Sequence, residues 1–154
     1  MQAFFEHYKT IIIFLHILSA VVWVGGMIAI KFAVHPVIQT IEEPIIRLGN
    51  SLRIVGRLFH LVMPFIALSL ICALLIIKGT GYTGELIYLK EAIWTMMTLN
   101  YTYMYIKRTL AQKSFDQGNF VNAKEHMRLL PTILLPINIV LGIVAIFLGV
   151  MLRG

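Results

Sequence analysis

Four long runs of apolar residues, separated by short polar stretches, dominate the hydrophobic pattern of this chain. A helix needs roughly 20 mostly apolar residues to cross a bilayer, because it rises about 1.5 Å per residue through a hydrocarbon core of about 30 Å. The runs therefore predict four spans, over about 10–34, 58–77, 86–107 and 129–152. The connections are short, which makes neighbouring spans antiparallel and predicts an all-α, up-down four-helix bundle forming one transmembrane domain over residues 1–154.

Two segments modify this simple pattern. The uncharged part of the third run, residues 92–106, is too short to span a bilayer alone, so a helix there has to take Lys90 and Glu91 into the membrane. The segment from Pro44 to Gly56 mixes isoleucine and leucine with charged residues. That mixture is typical either of an extra amphipathic helix at the membrane surface or of an early start of the second span, and both alternatives stay open here.

The composition indicates that a bilayer is the natural solvent of the chain. Apolar residues make up 59% and charged residues only 13% of its 154 residues, which is more apolar surface than a small water-soluble domain can bury. A disordered protein, a nucleic-acid-binding domain and a water-soluble enzyme are therefore excluded. The single cysteine, Cys72, lies within an apolar run, so the chain has neither an internal disulfide nor a CxxC motif.

The positive charges predict the orientation of the spans. Nine of the 13 lysine and arginine residues lie in the connections, or at the adjoining ends, of spans 1 and 2 and of spans 3 and 4. They are Lys31, Arg47, Arg53, Arg57, Lys107, Arg108, Lys113, Lys124 and Arg128. Because such residues accumulate on the cytoplasmic side, we expect both termini on the non-cytoplasmic side of a membrane, the inner membrane of a bacterium.

Three ionisable residues are predicted at one depth inside the membrane. His16 lies six residues into span 1, and Lys90 and Glu91 lie near the outer end of span 3. The helical rise places His16 and Glu91 about 9 Å outward of the midplane, so they can meet. Each costs about 2.5 to 3.5 kcal/mol on insertion scales. The cluster is either a structural histidine–carboxylate pair, with Lys90 reaching the interface, or a cofactor or proton site with Lys90 and Glu91 as catalytic residues.

Aromatic side chains share helix faces with this cluster. Trp23 lies on the same face as His16, and Trp94 lies on the same face as Lys90. One imidazole among aromatic rings, thioethers and hydroxyls fits a pocket for a flat hydrophobic ring system, although such stripes are more often core packing. Trp23 and Trp94 are therefore candidate cofactor-binding residues that would wall the pocket.

Two asparagines and a row of small residues link the third and fourth spans. Asn100 and Asn138 both come out slightly inward of the midplane, which predicts an interhelical amide hydrogen bond. On span 4, Asn138 shares a stripe with Gly142 and Gly149, which favours close helix approach.

Three further histidines lie towards the cytoplasmic side, namely His35, His60 and His126. Imidazole is a common ligand of haem iron and of transition metals, so these residues and His16 are candidate metal ligands. The helical rise puts His16 and His60 on opposite sides of the midplane, too far apart to bind one iron. A second haem or metal would instead use His60 with either His35 or His126.

Residues 15–27, with the sequence LHILSAVVWVGGM, resemble the opening helix shared by the HemJ-type membrane protoporphyrinogen oxidases and the CopD-like copper-resistance membrane proteins. Both families carry an L-H-x6-W-x-[GA]-G signature there, and this chain matches its spacing. His35 near the helix end, Arg53 and Arg57 before span 2, and Lys90 at the start of span 3 are similar to further residues of the HemJ type. The L-P-R and Tyr-His sequences of that type are replaced here by IAIK and Asn-Tyr.

The resemblance implies a small membrane redox protein that binds haem b and exchanges electrons with a quinone or a tetrapyrrole. His16 would be the axial ligand, Lys90 would contact a substrate or a haem propionate, and Arg57 would be a further cofactor-binding residue. If the protein is an enzyme, it would be a HemJ-like membrane oxidoreductase. The alternatives are a copper-handling CopD-like protein and a cofactor-free accessory subunit of a respiratory complex. A homo-oligomer or a subunit of a larger membrane complex is expected, and no nucleic-acid partner.

Overall fold

Every regular element in the computed structural model, which describes residues 2–81 and 84–152, is a helix. Two π-helical turns, Ile30–Val34 and Leu130–Leu134, interrupt the first and last helical stretches. The α-helices in chain order are α1 (Gln2–Ala29), α2 (His35–Gln39), α3 (Pro44–Thr80), α4 (Glu85–Asp116), α5 (Phe120–Met127) and α6 (Leu135–Met151). The predicted all-α class is confirmed, with four long helical stretches in the described residues.

Three of the helical stretches are long and apolar enough to cross a membrane, namely Gln2–Gln39, Pro44–Thr80 and Phe120–Met151. The stretch that falls short is α4, the helix of the weakest apolar run. Its apolar residues alternate with tyrosine, threonine and asparagine, and it carries Lys90 and Glu91 near its beginning.

The segment before the second apolar run forms no separate helix. α3 begins at Pro44 and continues unbroken to Thr80, and Gly81 ends it in the left-handed conformation with φ of 62°. The helix of the second apolar run therefore starts early, at Pro44, and the separate extra helix over 44–56 is wrong. A helix of 37 residues is about 55 Å long and exceeds the hydrocarbon core of a bilayer by several turns.

The polar connection between the third and fourth runs is mostly helical. α4 continues to Asp116, and a tight turn with Gly118 at φ of 76° reverses the chain. The side chain of Asn119 then accepts a hydrogen bond from the backbone N–H of Asn122 at 3.2 Å and caps the start of α5. α5 packs back against α4, so this connection is an ordered part of the bundle.

The long helices form a closed ring in which α1 packs on α3 and α6, and α4 packs on α3 and α6. The beginnings of α1 and α4 meet the ends of α3 and α6 around one cavity, so neighbouring helices run in opposite directions. α6 approaches its neighbours closely at Gly142, where an added Cβ would lie 2.5 Å from Cγ2 of Val24.

A buried amide pair joins α4 to α6 near the middle of the bundle. Asn138 is 0% exposed, and its Oδ1 accepts a hydrogen bond from Nδ2 of Asn100 at 2.9 Å. Asn138 in turn donates to the backbone carbonyl of Met97 at 3.3 Å. The predicted interhelical amide hydrogen bond is confirmed.

The second π-helical turn leaves one backbone carbonyl without a hydrogen bond from its own helix, and a lysine side chain donates to it. The N–H of Leu135 donates to the carbonyl of Leu130, five residues back, and Pro136 has no N–H to offer to the carbonyl of Pro131. Nζ of Lys31, from the first π-helical turn, donates to that Pro131 oxygen at 2.6 Å. The two irregular turns are thus tied to each other.

Candidate functional site

A cavity of about 470 Å³ lies where α1 and α4 begin and where α3 and α6 end. This volume falls within the range of about 300–1,000 Å³ that is common for small-molecule sites. Most of its wall is aliphatic. Its ionisable and aromatic polar residues are Lys9, His16, Lys90, Glu91 and Trp94, and we call it the His16 cavity.

His16 is held by the backbone of the neighbouring helix. Its Nδ1 lies 3.1 Å from the carbonyl oxygen of Ser69 on α3. Since a carbonyl oxygen only accepts hydrogen bonds, a neutral His16 carries its proton on Nδ1 and its lone pair on Nε2. Histidines that bind metals commonly have one ring nitrogen fixed in this way.

Two lysines and one carboxylate line the same cavity. Lys90 is half-buried and reaches α6, where an added Cβ on Gly149 would lie 2.9 Å from its Nζ. Glu91 is exposed at the edge of the cavity. Lys9 lies two turns before His16 on α1, and its Nζ is 3.7 Å from Oε1 of Glu6. The structure therefore brings His16, Lys90 and Glu91 together.

Sequence reasoning did not single out Lys9. Its spacing of seven residues from His16 was a usable signal, because residues two turns apart share a helix face.

The two tryptophans lie in different environments. Trp94 lines the His16 cavity, and its buried indole N–H has no acceptor among the described residues. Trp23 is 2% exposed and packs in the core, with its ring edge-to-face at 6.3 Å from Tyr101. The expectation that Trp23 walls the pocket is therefore corrected. Seven residues along a helix correspond to about 10 Å, which carries Trp23 past the cavity.

The start of α1 packs closely against the end of α3. Phe5 lines the cavity, is 1% exposed, and its ring and Cβ occupy the place that a Cβ on Gly79 would take. Only glycine permits this contact.

A second cavity, of about 760 Å³, lies at the opposite end of the bundle between α3 and α4. Its polar residues are Asn50, Arg53, Arg57, His60, Arg108, Gln112 and Asp116, and we call it the arginine cavity. Arg57 and His60, candidate cofactor and metal residues from the sequence, lie here and away from His16. Arg108, which the sequence reasoning counted only as a topological charge, is part of this cavity.

The remaining candidate histidines lie elsewhere. His35 lines a third cavity, of about 820 Å³, together with residues of both π-helical turns, and its Nε2 is 3.3 Å from Nε2 of Gln39. His126 is half-buried on α5. The structure thus places His60 and His35 in different cavities. In the described part of the chain, no group of three or more histidine, cysteine, aspartate or glutamate side chains is arranged to hold a metal ion.

Comparisons with protein-family models, with curated proteins and with solved structures find no match to this chain. The resemblance to the HemJ and CopD families therefore rests on the motif in α1 and on the scattered residues that accompany it.

Proposed function

We propose that this chain is an integral membrane redox protein that binds haem b in the His16 cavity and exchanges electrons with a quinone or a tetrapyrrole. The observation that carries the proposal is His16 itself. Its Nδ1 is bonded to a backbone carbonyl, and it lines a largely aliphatic cavity that also holds two lysines.

The residues of the His16 cavity fit a haem in three respects. His16, in the tautomer described above, would bind the haem iron through Nε2. Lys9 and Lys90 supply positive charge for the two propionates. The buried N–H of Trp94 supplies a hydrogen-bond donor in a wall that is otherwise suited to a flat apolar ring.

Haem supplies one-electron chemistry at its iron when it is bound. The residues of this chain would have separate tasks around it: His16 would bind it, Lys90 would orient it by charge, and the aliphatic wall would exclude water. Glu91, at the exposed edge, would hold or release a proton beside a bound quinone or tetrapyrrole. Lys90 and Glu91 are therefore the proposed catalytic residues.

We further propose that the four long helical stretches are four spans with both termini on the non-cytoplasmic side. Lys90 favours this arrangement, since its half-buried side chain lines a cavity and so avoids direct exposure to lipid. A Gly84→Cys variant in a Cys72→Ser background tests it with a membrane-impermeant thiol reagent. We expect labelling from the non-cytoplasmic side. Labelling only from the cytoplasmic side would contradict the proposed orientation and indicate the opposite one.

The haem proposal is tested by the optical spectrum of the purified full chain. We expect a Soret band with reducible α and β bands in the wild type, loss of these bands in His16→Ala, and wild-type bands in the matched control His7→Ala. His7 lies on the same helix but is exposed. Added imidazole should restore absorbance in His16→Ala, because it replaces the missing ligand and not a missing packing contact.

Other outcomes identify other functions. Wild-type haem content in His16→Ala would contradict the ligand role of His16. Bound copper without a Soret band would indicate a copper-handling protein, and a colourless, metal-free preparation that copurifies with larger subunits would indicate an accessory subunit.

A further inference from the structure

The arginine cavity gathers positive charge at the end of the bundle opposite His16. Three guanidinium groups, from Arg53, Arg57 and Arg108, line it against one carboxylate, Asp116. Oδ1 of that carboxylate already accepts a hydrogen bond from Nε2 of Gln112 at 2.8 Å. The cavity therefore has a surplus of positive charge that favours an anion.

Arg108 is built into the wall of this cavity. Its Nε and Nη2 donate to the carbonyl of Leu52 at 3.1 and 2.9 Å, and Nη2 also donates to Oε1 of Gln112 at 3.0 Å. The guanidinium lies directly over Gly56, where a Cβ would collide with it. These bonds occupy Nε and Nη2, so the two N–H groups of Nη1 are the ones that can serve an anion.

Arg53, Arg57 and His60 form one row on α3. They are spaced by four and three residues, which places them on one face of the helix, and all three are exposed. Nδ1 of His60 lies 2.7 Å from the carbonyl of Gly56, four residues earlier on α3. This contact holds the ring against its own helix, which also carries Arg53 and Arg57. Like charges one turn apart repel each other, and an anion between Arg53 and Arg57 relieves that repulsion.

An apolar side chain flanks the charged row. Leu61, four residues after Arg57 on the same face of α3 and nearer the middle of the helix, is 56% exposed. In the proposed arrangement of spans, α3 is several turns longer than the hydrocarbon core, so its first turns extend to the level of lipid headgroups. An occupant with an anionic head and apolar chains fits this surface better than a free anion does.

We propose that the arginine cavity binds the phosphate headgroup of an anionic phospholipid such as phosphatidylglycerol. Basic pockets between spans are typical sites for such headgroups. Arg53, Arg57 and Arg108 bind the phosphate oxygens, and the acyl chains run from there towards the middle of α3, past Leu61. This site is separate from the proposed haem site.

The test uses the full chain, delipidated in a neutral detergent, with phosphatidylglycerol as the probe and native mass spectrometry as the readout. We expect binding by the wild type and a loss of affinity of roughly tenfold or more in the double variant Arg53→Gln/Arg57→Gln. The matched control Lys107→Gln/Lys113→Gln removes the same charge from α4 outside the cavity and should keep the wild-type affinity. Haem content should be unchanged in both, which separates this test from the haem proposal.

Four results would overturn the lipid proposal. Wild-type affinity in the arginine variant would exclude the site, and an equal loss in the lysine control would show a general effect of net charge. Displacement of phosphatidylglycerol by millimolar inorganic phosphate, or equal binding of phosphatidylcholine, would show a site without selectivity for anionic lipid. If the double variant does not fold, Arg57→Gln alone, at an exposed position, decides between these outcomes.

Discussion

The His16 cavity and the arginine cavity, at opposite ends of the bundle, each contain one histidine, and the surroundings of those two histidines differ. His16 donates to the backbone of a different helix, across the interface between α1 and α3. His60 bonds to its own helix, four residues back, and is exposed. A histidine fixed between helices in an aliphatic cavity suits ligand binding, whereas a histidine beside arginines on one helix face suits a mobile anion.

Two glycines, one at each end of the bundle, show a similar difference between the two ends. Gly79 makes room for Phe5, a rigid ring held by α1, and Gly56 makes room for the flexible end of Arg108. The contact between helices is therefore made by a rigid ring at the His16 end and by a side chain that can move at the arginine end.

The largest effect on stability is expected from Gly79→Ala. The new methyl group forces α1 away from α3, because the Phe5 ring and its Cβ have no free space, and this should lower the free energy of unfolding by about 1–3 kcal/mol. Gly56→Ala is the matched variant at the other end. There, the methyl group meets the movable end of a side chain, and the helix-propensity gain of about 1 kcal/mol partly offsets hydrogen bonds of the charged Arg108 worth about 1.5–3 kcal/mol. Unfolding in mixed micelles measures both, and equal losses would contradict the distinction.

If the His16 cavity binds haem as proposed, Lys90→Gln should weaken haem retention by roughly tenfold, because it would remove a charge-assisted contact to a propionate worth about 1.4 kcal/mol. Lys78→Gln, which removes an exposed lysine at the same end outside the cavity, should leave retention unchanged. Haem transfer to an apo-globin measures this. Similar transfer rates in the two variants would exclude a specific role for Lys90.

The amide pair between the two ends should contribute stability without affecting either site. Replacing Asn138 by leucine breaks the hydrogen bonds with Asn100 and Met97, and we expect a loss of about 1 kcal/mol. A double-mutant cycle with Asn100→Leu gives the coupling energy of the pair. Changed haem or lipid binding in these variants would show that the two cavities are coupled through the middle of the bundle.

The smallest predicted effect is a difference between the two cavities in how ionic strength changes ligand binding. Raising ionic strength from 0.1 M to 1 M shortens the Debye length from about 10 Å to about 3 Å. Binding of phosphatidylglycerol to the exposed arginine cavity should weaken several-fold, whereas absorbance from the His16 cavity should stay constant, because ligation by an imidazole is screened little. Salt-insensitive lipid binding would indicate that the apolar chains, and not the arginines, hold the lipid.

Much of the architecture follows from the order of residues along the chain. The apolar runs and the rise of a helix were enough to predict four long helical stretches, and the same counting placed His16 and Glu91 at one depth and paired Asn100 with Asn138. These are questions of periodicity and length, which a helix converts directly into distance.

Only the tertiary structure decided which side chains share a cavity. Trp23 has the right face but lies in the core, Arg108 lies in a cavity because Gly56 on another helix leaves room for it, and the carbonyl partner of Lys31 exists because a proline follows a π-helical turn. The sequence determines how far along its own helix a residue lies. Rotation, local irregularity and the approach of a second helix determine what it touches, and these depend on residues distant in the chain.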